Sequence, residues 1–169
     1  MSEIAFSLGS NLGDRLANLR EARRRIFAAP DARPAAQSPV YETEPVGVKP
    51  EYRDLRFLNA VLAVESDRPA EDWLETAAAI EREMGRARTA DRCAPRPIDI
   101  DILYAGGRVL DGARLTVPHP RWAERRFVVR PLADIRPDLV LPGGARTVAE
   151  VLAALPDPPE SVRLFAREW

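Results

Sequence analysis

The order of elements that the sequence predicts is typical of an α+β fold, a ferredoxin-like βαββαβ sandwich with extra strands and short helices. Two observations support this prediction. Short apolar or alternating runs, which indicate strands, are separated by two longer stretches with apolar residues at helical spacing. Helix start and stop signals bound these stretches: Asn11 or Asp14 as a cap before the first, and Pro69 and Gly85 around the second.

The individual elements follow from the local patterns. Strands are expected at residues 4–8, 38–43, 57–65 and 96–104, with a hairpin return at 109–110, an irregular strand at 127–131 and an edge strand at 161–165. Helices are expected at residues 15–28, 69–84, 118–124 and 147–155. In the strand at 57–65, Phe57, Asn59, Val61 and Ala63 share one face.

Length and composition favour one domain spanning residues 1–169. The hydrophobic content of 46% and the charged content of 30% are ordinary for a globular protein. The net charge of −1 provides no global positive field that would attract nucleic acid or anionic lipid. A polyphosphate site would therefore have to come from local clustering of charge.

The cysteine content and the N-terminus bear on location. Cys93 is the only cysteine, which excludes an intramolecular disulfide bond. The segment MSEIAFSLGS lacks the basic residue and the long apolar run of a signal peptide or membrane span. We expect a cytoplasmic monomer that binds neither membrane nor nucleic acid.

Acids and isoleucines alternate in residues 98–102, IDIDI. Asp99 and Asp101 therefore share one strand face, about 7 Å apart, while the isoleucines face the core. Hard oxygen ligands at this separation suit Mg²⁺, with phosphate oxygens completing its coordination shell. Taken alone, the DxD pattern is better explained as an amphipathic strand with a solvated acidic face.

The segment before this strand carries four arginines within eleven positions: Arg86, Arg88, Arg92 and Arg96. The intervening residues are poor helix formers, so we predict a loop that can move. Guanidinium groups match phosphate oxygens with paired hydrogen bonds and keep their charge. A solvated basic loop neutralised by nearby acids is the alternative, but a cationic loop feeding into a two-carboxylate strand favours a site for a metal-chelated polyphosphate.

Two further features leave their roles open. His119, the only histidine, precedes Arg121, Arg125 and Arg126, so it could donate a hydrogen bond to a phosphate oxygen or be merely structural. The turn GSNLGD resembles a phosphate-binding turn but lacks the ending of a P-loop and does not fit GxGxxG. A tight structural turn is the favoured interpretation.

Several separated segments resemble one enzyme family. SLGSNLGD, YETEPVG, FLNAV, GRARTADRCAPRPIDIDIL and LTVPHPRWAERRFVVRPL occur in the order typical of 6-hydroxymethyl-7,8-dihydropterin pyrophosphokinases of folate biosynthesis. The resemblance covers residues 4–141, and PRPIDIDIL with LTVPHPR is far more specific than DxD alone. It implies transfer of a diphosphoryl group from ATP to the hydroxymethyl group of the pterin, with release of AMP.

The resemblance also implies roles for individual residues. Asp99 and Asp101 would hold two Mg²⁺ ions, Arg86 and Arg96 would act from a mobile lid during transfer, and Asp101 could also accept the substrate hydroxyl proton. Contacts to ATP would come from Glu81 at the ribose, Leu115 and Thr116 along the nucleoside, and Arg88, Arg92, His119 and Arg125 at the phosphates. Contacts to the pterin would come from stacking by Phe57 and Phe127, the amide of Asn59, and backbone groups near Thr43 and Val46.

The chain departs from the family pattern in and beside the lid. Cys93 and Ala94 replace the usual Trp-Gly, Thr89 stands where Lys is common, and Glu44 replaces a frequent proline. We expect activity with altered lid dynamics.

Two other functions compete with this interpretation. A nucleotidyltransferase also pairs a Gly-Ser turn with DxD, but Gly9 and Asp99 lie most of the chain apart and the arginines would remain unexplained. A nonenzymatic RNA-binding module of the same fold would need exposed aromatic residues on its central strands, where IDID places acids.

Overall fold

The computed structural model describes residues 1–87, 90–91, 93–158 and 161–169. The strands are β1 (Ser2–Ser10), β2 (Arg33–Gln37), β3 (Val40–Thr43), β4 (Phe57–Ser66), β5 (Asp99–Ala105), β6 (Leu110–Asp111), β7 (Thr116–Val117) and β8 (Val162–Ala166). The α-helices are α1 (Arg15–Phe27), α2 (Ala70–Glu83), α3 (Arg126–Ile135) and α4 (Val148–Ala154). Single 3₁₀ turns lie at Pro50–Tyr52 and Trp122–Glu124.

The main sheet is antiparallel, with the strand order β5-β1-β4-β3-β8 and with β2 also paired to β4. The segment from β1 through α1, β3, β4 and α2 to β5 is a βαββαβ unit whose four strands have the order β5-β1-β4-β3. This order confirms the predicted α+β, ferredoxin-like fold. Strand β2, strand β8, the small β6-β7 sheet and the last two helices are additions to it.

Two apolar cores cover the two faces of the sheet. Alternation along β1 sends Phe6 and Leu8 to the first core, where they pack with residues of α1 and α2 such as Leu19 and Trp73. The opposite face packs against α3 and α4 in a second core. The Phe6 and Trp73 rings, both fully buried, lie 5.3 Å apart, and burying a side chain of that size contributes about 1.5–3 kcal/mol.

The local signals for helix ends are confirmed. Asp14 caps α1 by accepting a hydrogen bond from the Ala17 amide at 3.0 Å. Thr147 caps α4 through a reciprocal arrangement with Glu150. The predicted tail strand is also present, as β8 at the edge of the sheet.

The strand predicted at residues 127–131 is wrong, because these residues lie inside α3. The β-branched run and Pro131 suggested extended chain. The buried residues Val128, Val129 and Leu132 instead lie on one helical face against the second core. Pro131, which cannot donate a backbone hydrogen bond, is itself buried there, so packing outweighs local propensity.

Four other predicted features also differ from the structure. Strand β2 was missed because Pro34 suggested a break, yet proline is compatible with an irregular strand pairing such as the one between β2 and β4. Leu110 pairs with Val117 of β7 rather than returning along β5. Strand β5 begins at Asp99 rather than residue 96, and the helix predicted at 118–124 is only the 3₁₀ turn Trp122–Glu124.

None of the helices in the described ranges is long and apolar enough to span a bilayer.

Candidate active site

A cavity of about 340 Å³ opens where β1 ends and where β4 and β5 begin. Antiparallel pairing brings these three strand ends to one edge of the sheet, on the face that also carries α3. We call it the first cavity. It is lined by Ser7, Gly9, Thr43, Glu44, Val46, Val48, Phe57, Asn59, Arg86, Cys93, Arg96, Asp99, Asp101, His119, Arg121, Arg125 and Phe127.

One part of the first cavity is bounded by aromatic rings and a fixed amide. Phe57 and Phe127 line the cavity, and Asn59 also lines it although it is only 4% exposed. The Asn59 side-chain amide donates to the Thr43 hydroxyl at 2.6 Å, which fixes its orientation. This combination of apolar walls and one oriented amide suits a flat heterocycle with a polar edge.

Gly9 is required beside that amide. A Cβ atom at this position would lie 3.0 Å from Asn59 Oδ1 and 3.5 Å from the Phe57 ring. The glycine therefore lets β1 pass close to the Asn59 amide and the Phe57 ring.

Asp99 and Asp101 also line the first cavity, from one face of β5. The predicted alternation is confirmed, since Ile98, Ile100 and Ile102 are buried in the first core while both aspartates line the cavity. Burial and the neighbouring charge of Asp99 raise the pKa of Asp101 to about 6. The two carboxylates thus form a site at which a cation would be favoured.

Two of the predicted lid arginines reach these carboxylates. Arg86 forms ion pairs with both Asp99 and Glu81. The Arg96 Nε atom lies 3.4 Å from Asp99 Oδ2, and its guanidinium lies 5.9 Å from the centre of the Phe57 ring. The backbone amide of Arg96 donates to Asn11 Oδ1 at 2.8 Å, so the GSNLGD turn has a structural role in holding the base of the lid.

Glu81 points inward at the end of α2. Its carboxylate accepts the Ile100 amide at 2.7 Å and pairs with Arg86. Burial raises the pKa of Glu81, while the Ile100 amide and Arg86 oppose that effect. In this arrangement Glu81 holds Arg86 beside Asp99 and anchors α2 to β5.

A second cavity, of about 470 Å³, lies on the α2 side of the carboxylates. Its lining residues from α2 are Leu74, Ala77, Ala78 and Glu81, and those from the segment before β5 are Arg86, Ala87, Asp91, Ala94, Pro95 and Arg96; Asp99, Ile100 and Asp101 of β5 complete it. Arg86, Arg96, Asp99 and Asp101 line both cavities. The two spaces therefore meet at the charged groups.

The two residues predicted to lie along the nucleoside are in the lining of neither the first nor the second cavity. Leu115 lines a third cavity, of about 370 Å³, together with Leu74, which also lines the second cavity. Thr116 forms part of β7 and is not in the lining of these three cavities as formed by the described residues.

His119 and Arg125 also line the first cavity. Burial lowers the pKa of His119, and the charge of Arg125 lowers it further, so the imidazole is neutral at pH 7. Its Nδ1 atom accepts the Arg121 amide at 3.1 Å. The proton is thereby assigned to Nε2, which can donate to an anionic ligand.

Contacts join two loops at one rim of the first cavity, where Val46, Val48 and Cys93 contribute to the lining. Asp91 accepts hydrogen bonds from Lys49 at 2.7 Å and from the Tyr52 hydroxyl at 3.1 Å. The Cys93 thiol donates to the Gly47 carbonyl oxygen at 3.6 Å. Cys93 thus contributes to this rim at the position where the resemblance leads us to expect Trp. The predicted residues Arg88 and Arg92, and the departure at Thr89, lie outside the described residues.

The donor set fits a hard divalent cation that is shared with a phosphate ligand. Within the described ranges, no three or more His, Cys, Asp or Glu side chains cluster closely enough to hold a metal ion. Two carboxylates suffice for Mg²⁺, which commonly keeps several waters and binds through one or two carboxylates and substrate phosphates. Arg86 already supplies positive charge at Asp99, which shows that this position favours a cation.

The structure brings together most of the site residues named from the sequence and adds others. Thr43, Val46, Phe57, Asn59, Phe127, His119 and Arg125 meet in the first cavity with the arginines and aspartates. Sequence reasoning missed Ser7, Gly9, Val48 and Arg121 in that cavity, and Leu74, Ala77 and Ala78 in the second. Because alternate residues of a strand share a face, the sequence pattern of β1 could have placed Ser7 and Gly9 on the cavity side together. The apolar residues of α2 give no comparable signal of a binding site.

Comparison with known proteins agrees with this geometry. A family model described as 7,8-dihydro-6-hydroxymethylpterin-pyrophosphokinase (HPPK) matches residues 5–137. A protein of Pseudomonas aeruginosa named 2-amino-4-hydroxy-6-hydroxymethyldihydropteridine pyrophosphokinase is 40% identical over 156 residues, covering 92% of this chain and 93% of its own. A protein of the same name from Methylorubrum extorquens is 43% identical, with coverage of 92% and 94%.

Solved structures support the fold. A Plasmodium falciparum HPPK-DHPS structure with pteroate has a TM-score of 0.68 at 13% identity. The match covers 90% of this chain and 44% of that one, so this chain spans less than half of the larger protein. With the family match over most of its length and bacterial relatives of the same size, the chain belongs to the 7,8-dihydro-6-hydroxymethylpterin-pyrophosphokinase family.

Proposed function

We propose that this chain transfers the diphosphoryl group of ATP to the hydroxymethyl group of 6-hydroxymethyl-7,8-dihydropterin and releases AMP, a step of folate biosynthesis. The observation that carries the proposal is the meeting of two cavities at Arg86, Arg96, Asp99 and Asp101. A group transfer between two substrates needs a donor space and an acceptor space that share one charged boundary. Family membership specifies the substrates.

The first cavity is the acceptor site in this proposal. The pterin ring would lie between Phe57 and Phe127, with its amide edge toward Asn59 and backbone groups near Thr43 and Val46. Asn59 is suited to form hydrogen bonds with that edge, because its own hydrogen bond to Thr43 fixes the orientation of the side chain. The hydroxymethyl group would then face the aspartates.

The second cavity is the donor site. The nucleoside of ATP would lie along α2 beside Leu74 and Ala78 and extend toward Leu115. The phosphates would cross the boundary between the cavities and meet His119 and Arg125 on the far side. The neutral imidazole and the guanidinium both donate hydrogen bonds, as anionic oxygens require.

Charge neutralisation is the main chemical task at the boundary. We propose two Mg²⁺ ions at Asp99 and Asp101, which when bound would neutralise the phosphate oxygens. Arg86 and Arg96 would add positive charge as transfer proceeds, because both already contact Asp99. Asp101, which lines both cavities, is the proposed acceptor for the hydroxyl proton of the pterin.

Water must be excluded, since hydrolysis would waste ATP. The loop contacts at Asp91 and Cys93 are where the rim can close over the bound substrates. Cys93 is smaller than the family's usual Trp, so we expect this rim to cover the pterin less completely.

The assay that tests the proposal separates it from nucleotidyl transfer. Purified protein is incubated with ATP, Mg²⁺ and the hydroxymethyl-dihydropterin, and the products are separated by chromatography. We expect AMP and the pterin diphosphate in equal amounts, formed only when the pterin is present. Release of pyrophosphate with a nucleotide attached to the pterin would contradict the proposal and favour a nucleotidyltransferase.

A further inference from the structure

We propose that Arg15, which lies outside both cavities, is a positioning residue for the acceptor site. Its side chain would hold the two backbone segments that present Thr43 and Phe57, and so determine how tightly the pterin binds. The inference rests on the proposed function, because it concerns the affinity for the acceptor substrate.

The guanidinium of Arg15 contacts both β3 and the residue that precedes β4. One terminal nitrogen donates to the Arg56 carbonyl oxygen at 2.9 Å. The other lies 2.9 Å from Glu42 Oε2 in an ion pair. A planar fork with several donors can make both contacts at once in a fixed geometry.

Both partners of Arg15 directly precede a residue of the first cavity. Glu42 precedes Thr43 at the end of β3, and the Arg56 carbonyl belongs to the peptide bond that leads into Phe57. Thr43 and Phe57 are themselves cross-strand partners. A shift of either segment would therefore move two cavity residues together.

Arg15 acts from the opposite face of the sheet. Alternation along β3 and β4 places Thr43, Phe57 and Asn59 on the cavity face, and Glu42 and Leu58 on the face that packs against α1. Arg15 is the first residue of α1, whose N-terminus is fixed by the Asp14 cap. The pocket wall is thus tied to a helix that contributes no residue to the cavity lining.

The surrounding charges favour this arrangement. Glu42 also pairs with Arg163 at 3.3 Å and with Arg56 at 3.8 Å. The side chains of Arg15 and Glu42 are 27% and 18% exposed, so solvent screens their contact less than that of a fully exposed pair. Arg15 donates in addition to the Arg56 backbone.

The test compares Arg15→Gln with Arg24→Gln. Arg24 lies on the same helix, also pairs with a glutamate at 2.7 Å, and lines neither cavity. For Arg15→Gln we expect the KM for the pterin to rise about tenfold, the scale of a lost charge-assisted hydrogen bond, with the KM for ATP within about twofold of wild type. Arg24→Gln should leave both constants unchanged.

A conservative variant separates position from charge. Lysine at this site, Arg15→Lys, keeps the positive charge beside Glu42 but offers a single nitrogen for two separated acceptors. We expect its KM for the pterin to stay at least about threefold above wild type while its thermal midpoint matches wild type. Should Arg15→Gln fail to fold, this variant carries the test.

The outcomes distinguish the inference from the proposed function. An active wild type with an unchanged pterin KM in Arg15→Gln, or a full rescue by Arg15→Lys, would overturn the inference and leave the function intact. A proportional rise of both KM values would indicate a general structural role and overturn it as well. A wild type that forms no AMP in the presence of the pterin would overturn the function and the inference with it.

Discussion

Arg86 occupies the position at Asp99 that a metal ion would take. Its guanidinium pairs with Asp99 and Glu81, so it already compensates charge at one of the two proposed metal ligands. Binding of a cation at Asp99 would require this pair to open, which would free Arg86 to reach the phosphates. Arg86 would then first neutralise Asp99 in the absence of the cation and afterwards contact the phosphates.

This competition predicts that removing Arg86 strengthens metal binding in the absence of nucleotide. In Arg86→Ala, Asp99 loses its guanidinium partner, and we expect the affinity for Mn²⁺ as a probe to rise roughly tenfold. Electron paramagnetic resonance of free Mn²⁺ measures this without turnover. Arg24→Ala is the matched control, and an Arg86→Ala variant with wild-type Mn²⁺ affinity would show that the ion pair does not compete.

Helix α2 forms one wall of the second cavity, and its small residues decide whether a nucleoside can lie there. Leu74, Ala77 and Ala78 line this wall, whereas Ala79 is not among the lining residues. The proposed role of α2 as the donor wall agrees with the fold, since the helix ends beside β5 and its last turn contributes Glu81.

A larger side chain on the α2 wall of the second cavity should impair binding of ATP but not of the pterin. We expect Ala78→Leu to raise the KM for ATP about tenfold, because the larger side chain takes up space that the nucleoside would need. The KM for the pterin should stay within about twofold, since the first cavity does not include Ala78. Ala79→Leu on the same helix controls for helix effects, and equal behaviour of the two variants would contradict the assignment of the second cavity.

Strand β5 and helix α3 show where sequence reasoning succeeds and where it fails. Asp99 and Asp101 could be placed on one face because a period of two needs no tertiary information. The structure of residues 127–131 could not be predicted, because Val128 and Val129 favour strands and only burial against the second core selects a helix. Elements with a clear hydrophobic period can be assigned from the local sequence. Where the local sequence suits both helix and strand, packing against the core determines the structure.

The same distinction applies to the site. Lid arginines, aspartates and His119 are recognisable by charge and spacing, whereas Glu81 required the structure to show its inward contact with Ile100. Thr116 is not in the lining of the three described cavities although its neighbour Leu115 lines one of them, because successive side chains in extended chain point to opposite sides. The amino-acid sequence alone does not give the distances between residues on different elements.

Trp169 links the far end of the chain to the first core. It is 7% exposed, its indole N–H donates to the Ser38 carbonyl oxygen at 2.7 Å, and the Arg23 guanidinium lies 4.9 Å from its ring. The residue lies beyond the segment 5–137 that the family model matches. The first core therefore includes a contact outside the segment that the family model matches.

Removal of this side chain should destabilise the protein without a local effect on the site. We expect Trp169→Ala to lower the free energy of unfolding by about 3–5 kcal/mol, the range for a large buried aromatic residue. Urea unfolding measures the change. Phe165→Ala, at a ring that is 47% exposed, should cost less than about 1 kcal/mol, and similar losses in the two variants would show that Trp169 does not act as a core residue.

The central claim is that transfer takes place at the carboxylates where the two cavities meet. The most direct measurement is the rate of pterin-dependent AMP formation by Asp99→Asn and Asp101→Asn, with the ATP and pterin affinities measured alongside. We predict a loss of at least about a hundredfold in turnover for each variant with pterin binding retained, because charge neutralisation at the phosphates is lost. Turnover at the wild-type rate in both variants would contradict the account.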